Sequence, residues 1–418
     1  MVAEDRYMKS NLLQSRIFIV KLFLPSPILQ LTSACQVSLS KLITSLSTSL
    51  NKDINSHHSY MIMSNPSEQT LLITGATGFI GQHVLQQALQ KGYNVRATVR
   101  SDGSKSKLPS EFDSAISSGQ LTFDNVSDIT ATANYESAFK DTSHPITGIL
   151  HLASPFSLNV TDMKKDLLDP ALDGTRAVLE AAVRFGQGQV RRIVITSSFA
   201  AILDLKQGYR PGYTYSEKDW FEISYDEAAK ADSTTAYCAS KSLAEKLAWE
   251  FVKQQKPSFD LATIAPAWVF GPHVGGLERG VDFKSLNESS ASLATKLLDQ
   301  KDIPPIDFGA YADVRDVALA HLLAFEKKEA GGERFLVSTH FDYQAGVDAL
   351  REALPEIKTR VPEGKPGAVA TKEQVYQVDG SKAEKVLGLR YRSLGETMRD
   401  SFKELLDSET GKEYHGEP

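Results

Sequence analysis

A chain of 418 residues, 41% of them hydrophobic, is long enough to bury a large core as one big domain or two interleaved ones. A net charge of −6 and a pI near 5.9 argue against a nucleic-acid-binding protein and against a polybasic membrane surface. Cys35 and Cys238 lie far apart and show no metal-ligand spacing, so neither a disulfide framework nor a metal site is expected and the reducing cytoplasm is the default compartment.

Residues 1–62 are basic and rich in Ser and Leu, with no acid between Arg6 and Lys52. They read as a disordered tail or as upstream sequence joined by a wrong start codon, with an organelle-targeting segment as the alternative. The apolar run 17–24 is interrupted by Lys21 and stopped by Pro25, too short to cross a membrane. Met63 opens a short lead into the first strand, which makes 1–66 an N-terminal extension.

From Thr70 onward, short β-rich runs alternate with helical periodicity. The strands expected are 71–74, 94–99, 121–126, 147–153, 190–196 and 260–265, with helices over 133–140, 171–185 and 237–254 between them. Such alternation predicts an α/β fold, a Rossmann-type doubly wound parallel sheet. Residues 67–271 form the dinucleotide-binding domain, with an insertion at 205–235. Residues 272–418 are assigned mainly to an interleaved, smaller substrate lobe that includes helices over 313–327, 343–354 and 394–406 and a strand near 334–338.

The first strand runs into Thr74-Gly75-Ala76-Thr77-Gly78-Phe79-Ile80-Gly81. A strand, a turn of spaced glycines and a helix is the arrangement that sets a dinucleotide pyrophosphate on a helix N-terminus. Gly75 permits the turn, Gly78 lets the backbone approach the phosphates, and Gly81 seats the helix on the strand. Thr77, Phe79 and Ile80 complete the expected contact. Arg100 follows the second strand, where an acid would bind a free ribose 2′-hydroxyl and a base accommodates a 2′-phosphate. NADP(H) is therefore expected over NAD(H), with Lys105 as a second charge. Asp128 and Ile129 follow the third strand and are expected beneath the adenine; the alternative is an Asp that caps the next helix.

The fifth strand ends in Ser197-Ser198, and a later helix carries Tyr237 and Lys241, four apart and so on one face. Reduction of a carbonyl builds charge on its oxygen, which a positioned acid must neutralise. Tyr237 is read as that acid, Lys241 as the cation that lowers its phenol pKa and binds ribose, and a serine hydroxyl as the group that polarises the substrate oxygen.

These stretches, with HLASPF (151–156), ITSSFAAI (195–202), AYCASK (236–241), APAWVFGP (265–272) and YADVRDVALAH (311–321), resemble the extended short-chain dehydrogenase/reductases. The resemblance covers about residues 69–408 and is strongest to the branch of dihydroflavonol-4-reductase-like and fungal ketone or methylglyoxal-type carbonyl reductases. It implies that Ser198 is the catalytic serine, with Ser197 as fallback. It further implies cofactor contacts from Pro266, from Val269 through Pro272 and from Ser289, and a 153–155 turn beneath the cofactor. Ala265 and Asp173 stand where the family often has Asn, which leaves the relay behind Lys241 without its Asn. The residues around Tyr237 differ from the cinnamoyl-CoA reductase pattern and disfavour a CoA thioester.

The expected activity is NADPH-dependent reduction of an aldehyde or ketone by a monomer or homodimer, on a small-molecule carbonyl substrate and with no nucleic-acid or membrane partner. Phe156, Trp220, Phe221 and Trp268 are candidates for the substrate wall or for core. The alternatives are an NAD-retaining nucleotide-sugar epimerase or dehydratase, which Arg100 disfavours, and a non-catalytic NADP(H)-binding regulator, which the Tyr237/Lys241 pair disfavours.

Overall fold

The computed structural model describes residues 65–154 and 160–410; the basic leader, Met63, Pro155 and Phe156 lie outside them. β1 (Thr70–Thr74) is buried along its whole length, as a strand must be when helices cover both faces of its sheet. There follow α1 (Phe79–Gln90), β2 (Asn94–Val99), β3 (Leu121–Asn125), β4 (Ile146–His151), α2 (Asp169–Phe185) and β5 (Arg192–Thr196). Next come β6 (Thr214–Tyr215), α3 (Ser233–Gln255), β7 (Asp260–Pro266), β8 (Trp268–Phe270), α4 (Glu288–Leu297), β9 (Ala310–Asp313) and α5 (Val314–Glu326). The chain continues through β10 (Glu333–Val337), β11 (Thr339–His340), α6 (Tyr343–Ala353), β12 (Gln377–Val378) and α7 (Leu394–Thr410). The stretch expected as a helix over 133–140 is a 3-10 run, Thr132–Phe139. Asn134 turns its side-chain amide back to the Asp128 carbonyl, the competition with helix that Asn commonly offers.

The main sheet has seven strands in the order β10-β7-β5-β4-β1-β2-β3, with every neighbouring pair parallel. Strand order reverses between β1 and β4, so a crevice opens at their carboxyl ends, the place where open α/β sheets bind ligands. A three-stranded sheet, β11-β9-β8, and the pair β12-β6 are separate from the main sheet, and β8 brings Trp268 and Val269 to the crevice.

The structure differs from the sequence reading at residues 314–337. α5 and β10 were expected in the substrate lobe, yet β10 pairs in parallel with β7 and closes the edge of the main sheet. β7 is apolar and buried through its centre and needs a partner on that side. Arg192, at the start of β5, fastens this region: it pairs with Asp260 of β7 at 2.5 Å and donates to the Ala324 and Lys327 carbonyls at the end of α5. A guanidinium there satisfies helix carbonyls that have no intrahelical donor.

The 311–321 motif explains the opposite end of α5. Asp313 caps the helix by accepting from Arg315 N–H at 2.8 Å and also takes the Thr397 hydroxyl at 2.8 Å, which ties α5 to α7. Asp316 accepts from the backbone N–H of Arg392 at 2.7 Å.

Candidate active site

The crevice is a cavity of about 850 Å³ that runs from the N-terminus of α1 to the small-sheet lobe. Gly75 has φ +71°, and a Cβ on it would lie 2.8 Å from Ala153 N; one on Gly81 would lie 2.0 Å from the Gly75 carbonyl oxygen. Neither position tolerates a side chain, because the colliding atoms are backbone. Gly78, the N-cap of α1, contributes no side-chain cap, and the first turn holds no acid. The first intrahelical bond runs from Gln82 N–H to the Gly78 carbonyl at 2.9 Å, so the N–H groups of Phe79, Ile80 and Gly81 precede the ladder. With Gly75, Gly78, Phe79, Ile80 and Gly81 on the cavity wall, these residues fit a dinucleotide pyrophosphate.

Among the other expected cofactor residues, Pro266, Val269 and Ser289 line the cavity, and Ser289 Oγ accepts from Val269 N–H at 3.3 Å. Pro272 and Thr77 lie behind the wall: the Pro272 carbonyl takes His83 Nε2–H at 2.8 Å, and that of Thr77 takes the Gln82 amide at 3.2 Å. Arg100 is exposed just past β2 and is not among the residues that line the cavity. Lys105 pairs with Asp102 at 2.8 Å and sits 5.4 Å from the centre of the Phe123 ring. Asp128 is exposed and accepts the Thr130 hydroxyl and N–H at 2.6 and 2.9 Å, bonds that hold its carboxyl below the usual range. Ile129 is half-buried against the core formed with α2.

Tyr237 and Lys241, one turn apart on α3, both face the cavity, as do Ser197 and Ser198 at the end of β5. The Tyr237 phenol is pushed up by burial and by Cys238, and only partly eased by a hydrogen bond with Ser198. Ser198 Oγ accepts from Ala200 N–H at 3.1 Å, which leaves its own proton to donate. The lysine does not depress the phenol as the sequence reading expected: its Nζ is 5.4 Å from the Tyr237 ring centre and donates to Ser154 Oγ at 2.8 Å. Burial instead lowers the Lys241 ammonium to about 8. Asp173, at one of the positions where Asn is common, is exposed and 4.0 Å from Arg176, and Ala265 is buried, so Ser154 is the side chain that meets Lys241.

Sequence reasoning missed the support around these residues. Glu245 lies four residues past Lys241 on the same helix, a spacing visible in the sequence, and its side chain is 1% exposed. It accepts from Ser197 Oγ at 2.6 Å, from Thr263 Oγ1 at 2.7 Å and from Arg334 Nε at 2.7 Å. The Ser197 hydroxyl is thereby engaged by Glu245, although the residue still borders the cavity beside Ser198. Trp220 lies 3.5 Å under the Arg334 guanidinium and Phe221 is fully buried, so both belong to this support; Trp268 lines the cavity.

Three buried imidazoles complete the frame. Thr74 Oγ1 accepts from Leu152 N–H and Ala153 N–H at 3.2 and 3.1 Å, so its proton goes to His151 Nδ1 at 2.8 Å. His321 Nδ1 must donate to the Val317 carbonyl at 2.7 Å, which leaves Nε2 to accept from Thr196 Oγ1 at 2.7 Å. These bonds fix the carboxyl ends of β1, β4 and β5 at the cavity floor. Burial lowers His83, His151 and His321 from 6.5 to about 4.

Unfolding returns these imidazoles to the ordinary value, so the unfolded chain binds more protons as pH falls from about 6.5 to 4. Each contributes stability that is present at neutral pH and lost through that window, roughly 3 kcal/mol per imidazole. Asp316, raised by burial to about 6, and Glu217 and Glu404, also raised by burial, act in the opposite sense and offset part of this loss. Urea midpoints are therefore expected to fall steeply between about pH 7 and about pH 5, and a flat or rising midpoint would contradict the assignment.

The NAD dependent epimerase/dehydratase family model matches residues 71–338. The chain is 36% identical over 346 residues to an NADPH-dependent methylglyoxal reductase of Saccharomyces cerevisiae, covering 81% of this chain and 99% of that one. It is 36% identical over 350 residues to a ketoreductase of Aspergillus niger, covering 81% and 97%. The crystal structure of the yeast methylglyoxal/isovaleraldehyde reductase complexed with NADPH superimposes with a TM-score of 0.73 at 32% identity, over 82% of this chain and 100% of that one. The glycine turn, the Tyr237/Lys241 face and these likenesses agree: the chain belongs to the NAD dependent epimerase/dehydratase family, the extended short-chain dehydrogenase/reductases.

Proposed function

We propose that this protein reduces an aldehyde or ketone to an alcohol with NADPH, Tyr237 being the proton donor. The observation that carries the reading is the meeting of Ser198, Tyr237 and Lys241 on one cavity wall that continues to the open N-terminus of α1. NADPH, when bound, supplies the hydride. Burial keeps the Tyr237 phenol protonated, as a donor to a carbonyl oxygen requires. Ser198, with its acceptor side engaged by Ala200, directs its hydroxyl proton toward the same region and holds the substrate oxygen. Lys241 stands one turn from the phenol and, through Ser154, reaches the turn after β4. Phe79, Trp268 and Phe308 line the space and keep water from the reacting groups. Arg100 receives the ribose 2′-phosphate, Asp128 and Ile129 flank the adenine, and residues 67–271 make the greater part of the cofactor domain. The buried free thiol of Cys238 suits a reducing cytoplasm.

The test is loss of NADPH absorbance with a panel of diketones, aromatic aldehydes and alkyl ketones, run on the wild type and on Arg100→Ala. At least one class of carbonyl is expected to be reduced. Arg100→Ala is expected to raise KM for NADPH about tenfold or more and to leave that for NADH within about twofold, since a charge-assisted bond to phosphate is the interaction removed. No turnover across the panel contradicts the reductase reading; equal effects on both cofactors contradict the role of Arg100.

A further inference from the structure

The lobe side of the cavity carries a polar cluster for which proton transfer has no use. Asp307 Oδ1 accepts from Trp268 Nε1–H at 2.8 Å and from Phe308 N–H at 2.6 Å; Oδ2 accepts from Lys296 Nζ and from the Tyr343 hydroxyl, both at 2.7 Å. A carboxylate offers about four acceptor sites, and all of them are taken. Lys296 has three N–H donors and spends two, on Asp307 and on the Tyr343 oxygen at 3.0 Å. Lys296, Asp307, Trp268 and Phe308 all line the cavity that holds Tyr237 and Ser198. The cluster thus presents to the substrate space one spare donor and no spare acceptor.

One side of its surroundings is aromatic, and Ser289, Ser292 and Thr295 of α4 line the cavity beside it. Trp268 and Phe308 meet edge to face with ring centres 5.6 Å apart, and Phe308 packs on the same buried cluster as Tyr237. The Trp268 ring is held at one end by Asp307 and lies 5.6 Å from Lys296 Nζ. The path from the reacting phenol to the lobe therefore has one aromatic wall, Trp268 and Phe308, beside which the third Lys296 N–H is the charged donor left open. Asp307 balances the charge of Lys296 at 2.7 Å.

Resting on the reductase reading, we infer that the substrate is a carbonyl compound with an aromatic or similarly flat apolar body and a second, uncharged acceptor oxygen, which takes the third Lys296 N–H. A substrate lacking that oxygen would seal the ammonium proton from water without a partner, which a site built to hydrogen-bond rejects more strongly than it rejects a change of shape. A carboxylate in that place gains little, because the lysine charge is already neutralised at 2.7 Å and the new anion faces Asp307.

The experiment compares kcat/KM for three matched ketones: an unsubstituted phenylalkyl ketone, its ring-methoxy analogue and its ring-carboxylate analogue. The wild type is expected to favour the methoxy compound over the other two by about tenfold or more. In Lys296→Met that ratio is expected to fall toward one, and in Lys296→Arg, which keeps surplus donors, to remain above that of the Met variant. Equal turnover of all three by the wild type, preference for the carboxylate, or a parallel loss on all three in Lys296→Met overturns the inference. Turnover of none of them, with NADPH still bound and other carbonyls still reduced, overturns it and leaves the reductase reading standing; no turnover of any carbonyl removes both.

Discussion

Tyr237→Phe is expected to lower kcat by about a hundredfold to ten-thousandfold while NADPH binds with nearly unchanged affinity. The range is that of a positioned general acid. The substitution removes one oxygen from a half-buried ring on a long helix, and the ring keeps its place against Cys238, Ala239 and Leu168. Ser198 loses one partner but keeps Ala200 N–H at 3.1 Å. The loss therefore falls on the chemical step. Steady-state rates together with NADPH fluorescence titration separate the two effects. A fall of less than about fivefold would mean that the proton comes from elsewhere; weakened NADPH binding of the same size as the rate loss would mean that the tyrosine serves mainly to hold the cofactor.

Glu245→Met carries the largest expected effect on stability. Removing one member of a buried ion pair costs about 3–5 kcal/mol, because the partner remains buried without compensation. Arg334 would keep the Glu217 and Asp219 carbonyls, but Ser197, Thr263 and Trp249 would lose their acceptor. The thermal midpoint is expected to fall by roughly 10 °C. Because Ser197 precedes Ser198, kcat is expected to fall with it, and Ser197→Ala should reproduce part of the rate loss with a smaller effect on stability. Pairing Glu245→Met with Arg334→Met is expected to cost less than the sum of the single changes, since the orphaned cation is then gone. Strict additivity in the thermal midpoints would show that the two side chains do not act as one unit.

Much of this was legible in the sequence, and the exceptions have physical causes. The strands β1, β2, β3, β4, β5 and β7 stand within a few residues of where apolar runs placed them, because a strand covered on both faces must be apolar throughout. β10 was visible as a strand but not as a member of the main sheet. Its partner β7 lies some seventy residues earlier, and no local pattern records a pairing at that distance. β6, β11 and β12 are two residues long, too short for any period to show.

At the site, Gly75, Gly78, Gly81, Tyr237 and Lys241, which share one cavity, could be singled out because each answers a constraint of spacing. The electrostatics were not. The sequence suggested a lysine that lowers a phenol, whereas enclosure of both groups pushes the phenol up and the ammonium down. Glu245, His321 and Lys296 act through partners on β5, β10 or the small-sheet lobe, which only the folded chain brings near.

The placement of β10 bears on how the protein can be recombined. The polypeptide leaves the seven-stranded sheet after β7, builds part of the small-sheet lobe, and returns through α5 and β10 before leaving again. A chimera that exchanges everything after Pro272 for the corresponding stretch of a relative would also exchange a sheet edge, together with the Arg192 and Arg334 contacts made there. Grafting a different substrate specificity therefore calls for two exchanged blocks with the α5–β10 segment retained between them, and a single crossover would leave β7 exposed to a foreign strand.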